Sequence, residues 1–139
     1  MPDIFTINAD RVFNLEEAEN VLPIVLKITR THSEKVKSLV ERIDVEQKTS
    51  GKDNWQLEQE INQHIDSWKA KMQKLGVNPR GLWIGDFPSV DGGYFCWKYP
   101  EASIKYWHSK QDGYSKRKVI QQTKNIDSLD GSLKSEQSL

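Results

Sequence analysis

The sequence has one cysteine, no long hydrophobic run and no surplus of either charge. Each of these excludes something. A single thiol, Cys96, cannot close a disulfide within the chain. The longest apolar stretch, VLPIVL (21–26), falls far short of the ~20 residues that a membrane-spanning helix requires. Lys+Arg and Asp+Glu both number 20, so the net charge is zero, without the basic excess of a dedicated nucleic-acid or membrane-surface protein. No basic start leads into an apolar run, so no secretory signal is expected. These features together predict a cytoplasmic protein with no membrane and no nucleic acid among its partners.

What is present is 139 residues, a length suited to one domain. The reading is a single α+β domain over 1–120 and a disordered polar tail over 121–139, where Ser, Asp, Lys and Gln leave too little to bury. The lead before Phe13 holds IFTI, which suits an edge strand or an extended segment. Asn14 with Glu17 three residues on has capping-box spacing, and Phe13 stands where a hydrophobic staple would. A stripe through Leu15, Ala18, Leu22, Val25, Thr29, His32, Val36, Leu39 and Ile43 predicts a helix over about 14–48. After TSGKDN, a second stripe (Leu57, Ile61, Ile65, Trp68, Met72, Leu75) predicts a helix over about 53–75, opened by Asp53 and closed by Gly76 in a Schellman-type end with Val77. The two form an antiparallel hairpin of unequal arms. If it turns near Gly51, the start of the first helix overhangs the second, so VLPIVL needs a cover and Pro23 within it predicts a bend. The same turn sets His32 and His64 about six residues out of step, or ~9 Å, which forbids their pairing inside one hairpin.

From Gly81 onward the period changes to two. Strands are expected over about 82–87, 94–99 and 103–108, joined as a three-stranded antiparallel meander. Nine of the chain's aromatic residues (5 Trp, 4 Tyr and 4 Phe in all) lie between Trp83 and Tyr114, enough to serve as the cover for the overhang. Alternation puts Tyr94, Cys96 and Lys98 on one face and Phe95, Trp97 and Tyr99 on the other. It puts Ile104, Tyr106 and His108 together, opposite Lys105 and Trp107.

Several ordered motifs resemble an uncharacterised prokaryotic family, domain of unknown function 2203. They are Phe13 to Ala18, Leu22 with Pro23, Asp86 to Pro88, Cys96 with Trp97, Trp107 with His108, and Gly113, Tyr114, Arg117 and Ile120. The resemblance covers about residues 12–120. Val119 stands where the family usually has proline. The resemblance implies no activity, and the cofactor is unknown; it marks Asp86, Cys96, His108 and Arg117 as parts of a shared pattern.

Those four residues are the candidate binding site. Asp, Cys and His are all metal-ligand types, but none of the tight spacings that announce a metal, such as C-x-x-C, is present, so no metal is assigned. Asp86 before Phe-Pro suits a turn cap, and Cys96 between aromatics suits a small buried hydrophobe. A Cys–His nucleophile pair would need the thiol beside the imidazole, and no nucleophile turn is visible. Arg117 suits either an anion clamp or an internal pair with Asp86 or another carboxylate. Two functional readings remain: a non-enzymatic interaction module that homodimerises through its long helical stripes, or a small-molecule or metal-binding protein, enzymatic or not, with its site on the aromatic sheet.

Overall fold

Asn14 caps the first helix, as its spacing with Glu17 requires. In the computed structural model its side chain accepts from the Glu17 amide at 2.8 Å, and the Glu17 carboxylate accepts from the Asn14 amide at 2.8 Å. The structure describes residues 11–50 and 53–121. The predicted disordered tail, apart from Gln121, and the IFTI segment lie outside them.

Helix α1 runs Leu15–Thr49 and α2 runs Trp55–Lys74. They are followed by β1 (Asn78–Gly81), β2 (Ile84–Pro88), β3 (Tyr94–Lys98), β4 (Tyr106–His108), a short 3-10 turn (Tyr114–Lys116) and β5 (Lys118–Val119). The fold is α+β, and the sheet is antiparallel in the order β1-β2-β3-β4-β5. No described helix is long and apolar enough to cross a membrane.

The three-stranded meander is therefore corrected to five strands. β1 carries no strand signal in the sequence because it is four residues long and contains Pro79, which sheets admit at an edge, and β1 is an edge strand. β5 has two residues, too few for any period to show. The third expected strand also shrinks from 103–108 to Tyr106–His108. Ile104 leaves the ladder and enters the apolar core instead. The second helix begins at Trp55 behind Asn54, one residue later than an Asp53 cap would give, and the Asn54 side chain makes no capping bond.

The exit from α2 follows its sequence closely. Gly76 has φ 87°, Val77 donates to the Met72 carbonyl and Gly76 to that of Gln73, each at 3.0 Å. This is the Schellman pattern, and it delivers Val77 into the core and the chain into β1.

The overhang is covered by the sheet. Leu22 and Val25 of α1 join Trp68 and Met72 of α2, and Phe87, Trp97 and Ile104 of the sheet end, in one apolar cluster. Helix α1 continues through Pro23. An interior proline costs about 3 kcal/mol, and full burial of a leucine or valine returns ~1.5–3 kcal/mol each, so Leu22 and Val25 together offset it. Phe13 closes the end of this core, edge-on to Phe87 at 5.2 Å and hydrogen-bonded to Pro88 and Val90 by its backbone.

The separation expected for His32 and His64 is overturned. Their Nδ1 atoms are 3.2 Å apart, and Lys71 Nζ lies 3.0 Å from His32 Nε2. The neighbouring buried bond from Trp68 Nε1 to Thr29 Oγ1, at 2.8 Å, shows why. Thr29 meets Trp68 and His32 meets His64, so the helices are in register about a point near Lys48 rather than Gly51. α1 stays helical to Thr49, past the point about which it pairs with α2.

Candidate functional site

Strand alternation and register build the site together. Asp86 lies directly opposite Cys96, and Cys96 opposite Tyr106, across two antiparallel ladders. His108 is two residues beyond Tyr106 and so shares its face. Gly85, Phe87 and Trp97 occupy the other face. Gly85 is in such close contact there that an added Cβ would sit 2.8 Å from Met72 and 3.0 Å from Val77. The sheet thus buries an apolar face on the helices and a polar face away from them.

On that polar face Asp86, Cys96 and His108 converge. Their potential ligand atoms all lie within 4.8 Å of one another, and all three side chains are sealed from solvent. His108 Nε2 is 3.1 Å from both oxygens of Asp86. Its Nδ1 is 2.8 Å from the Ser109 carbonyl oxygen, which can only accept, so Nδ1 carries a proton. Tyr94 tilts against the imidazole with ring centroids 5.5 Å apart.

Arg117 belongs to the same layer but is held elsewhere. Its Nη1 and Nη2 donate to the two carboxylate oxygens of Glu101, at 3.0 and 2.6 Å. The guanidinium lies over Tyr106 at 3.9 Å and Tyr114 at 4.3 Å, so the 3-10 segment folds across this face. Burial works against its charge, and the Glu101 pair more than compensates, holding the Arg117 pKa above its ordinary value. Burial, and then the neighbouring Asp86, push the Cys96 thiol up to about 12, although Arg117 beside the sulfur acts the other way.

A match to a family model agrees with these landmarks. The model is described as an uncharacterized conserved protein (DUF2203), and it spans residues 11–120. The chain belongs to this family. The matched span contains every residue of the cluster and every strand of the sheet. No match was found among curated proteins or among solved structures. The family description names no activity, so the chemistry must come from the geometry.

Three participants were not visible in the sequence. Arg80 donates from Nε to Asp86 Oδ2 at 3.0 Å and lies over the Tyr94 ring at 5.2 Å. Its role has no sequence signal because β1, with Pro79 in it, does not read as a strand. Glu101 was an undistinguished carboxylate in a loop. Gly93 is needed for its lack of a side chain, because a Cβ there would lie 2.6 Å from the His108 carbonyl oxygen. The spacing of Gly92-Gly93 from His108 carries no signal of that approach.

The arrangement is poorly suited to nucleophilic catalysis. The hydrogen-bond partners of the His108 ring are the Ser109 carbonyl and the Asp86 carboxylate, not Cys96, so the imidazole is not set as a base for the thiol. A small open pocket of about 80 Å³ lies away from the cluster, between Glu19, Leu22, Pro23 and Leu26 of α1 and Ala102–Ser103.

Proposed function

We propose that the chain is a cytoplasmic, non-enzymatic interaction module that pairs with a second copy of itself through the distal part of its helical hairpin. The observation that carries this reading is the set of exposed apolar side chains left on that arm. Val40 is 50% exposed, and Val45 and Trp55 are each 59% exposed, although all three lie on helices that bury their other faces. The apolar cluster takes Ala18, Leu22 and Val25 of α1 and Trp68 and Met72 of α2, all from the half of the hairpin nearer the sheet. Two helices alone leave part of each stripe uncovered, and a second hairpin completes a four-helix arrangement.

Charge favours a second copy as the occupant. Lys37, Val40 and Asp44 follow one another at i, i+3 and i+7 and so share a helical face. Antiparallel pairing centred on Val40 brings each Lys37 near the Asp44 of the other copy.

Sedimentation analysis across a concentration series tests the reading. The expected result is a dimer that Val40→Glu converts to a monomer with an unchanged circular dichroism spectrum. A wild-type chain that stays monomeric up to its solubility limit sinks it.

A further inference from the structure

We infer that Asp86, Cys96 and His108 form a binding site for a divalent transition ion of the zinc or cobalt class. This goes beyond self-association and uses the opposite end of the molecule.

The argument begins with His108. Its Nδ1 proton is committed to the Ser109 carbonyl at 2.8 Å. In the neutral ring Nε2 is then a lone pair, and it points between two carboxylate oxygens, each 3.1 Å away. Arg80 donates to Oδ2 alone, and Nε2 facing Oδ1 in a sealed site still asks for a positive group between them. A proton on Nε2 would have to be shared equally between two oxygens at 3.1 Å, a longer and less directed contact than a charge-assisted bond normally makes. A metal ion meets the demand with all three donors at once.

The remaining geometry has the features of a ligating set. Zinc-class ions bind nitrogen and oxygen at about 2.0–2.2 Å and thiolate at about 2.3 Å, so tetrahedral donors stand about 3.3–3.8 Å apart. Here Nε2 and the carboxylate oxygens are 3.1 Å apart and all three donors lie within 4.8 Å of one another, so closing on an ion asks for a shift on the order of 1 Å. The outer partners are already in place. The Ser109 carbonyl fixes the imidazole tautomer, and Arg80 orients Asp86 through Oδ2. Arg117 is held in the same layer by its two-pronged contact with Glu101. Binding displaces the thiol proton to solvent. The mixed nitrogen, sulfur and oxygen set excludes magnesium and calcium, which take oxygen alone.

The test uses the full chain purified without a metal-affinity tag, stripped with a chelator and titrated with Co²⁺ alone. The expected result is one Co²⁺ per chain, with the visible bands of a four-coordinate ion and a near-ultraviolet thiolate-to-cobalt band. Cys96→Ser loses the thiolate band, and Arg80→Gln weakens binding about 10–100-fold with the three donors intact. If Cys96→Ser fails to fold, X-ray absorption of the wild-type cobalt complex gives the answer through one sulfur neighbour. A folded wild-type chain that takes up no Co²⁺ at micromolar concentration overturns the assignment. So does a complex without a sulfur ligand, or a thiolate band that survives in Cys96→Ser.

Discussion

Cys96 and Trp97 are adjacent in β3 and equally sealed from solvent, yet they point into opposite kinds of interior. Trp97 faces helices α1 and α2 in an apolar cluster whose members contribute through contact area. Cys96 faces Asp86, His108 and Arg117, groups that contribute only when each has its partner. The contrast shows how a strand buried on both sides can keep its two roles apart. Apolar burial supplies stability on one face, and the other face is free to hold charges at fixed distances.

Glu101 joins the two faces. Its carbonyl accepts from Trp97 Nε1 at 2.7 Å, and its carboxylate grips Arg117 while also accepting from the Lys98 amide at 2.8 Å. The largest expected effect is therefore at Trp97. Trp97→Ala should cost ~3–5 kcal/mol in urea unfolding by removing the centre of the apolar face. A loss below about 1 kcal/mol would show that the helices do not depend on this face.

A smaller effect is expected on the polar side. Arg117→Lys keeps the charge but cannot reproduce the two-pronged contact with Glu101, and should cost about 1.5–3 kcal/mol. Arg117→Lys should leave the near-ultraviolet tryptophan spectrum nearly unchanged if the faces are separable. A changed spectrum would show that Glu101 couples them.

The smallest effect lies outside both faces, between the helices. Burial, Lys71, His64 and Lys35, in that order, lower the pKa of His32 below 6.5. The folded ring thus resists a proton that the unfolded chain accepts near pH 6.5, so acid favours unfolding. This contribution is complete above pH ~6.5 and is lost as pH falls through the lowered value. Thermal unfolding should show a lower midpoint at pH 5 than at pH 7.5, with the difference reduced in His32→Gln. An identical pH dependence in His32→Gln would remove His32 as its source.

Local chemistry was legible in the sequence, and long-range register was not. The capping box at Asn14 and Glu17 and the Schellman end at Gly76 each depend on a few consecutive residues, and both formed as expected. The cover over Leu22 and Val25 followed from their excess of apolar surface. Alternation placed Cys96 and His108 on one face, but setting Asp86 opposite Cys96 required the β2–β3 register, which depends on the five-residue connection 89–93. Arg80 required a strand that Pro79 disguised. A register set by the loop alone separates His32 from His64. The Trp68–Thr29 bond and the surrounding core set it differently.

Asp86, Cys96 and His108 come from three consecutive strands, and each strand pairs with the next in the chain. Their meeting therefore needs only short loop closures, whereas docking α1 on the sheet joins residues as far apart as Glu19 and Ile104. In folding, such local contacts form sooner and at lower entropic cost. The donor cluster is expected to assemble as a hairpin-by-hairpin unit before the helical overhang arrives. Substitutions at Asp86 should then slow folding, and those at Leu22 should chiefly speed unfolding.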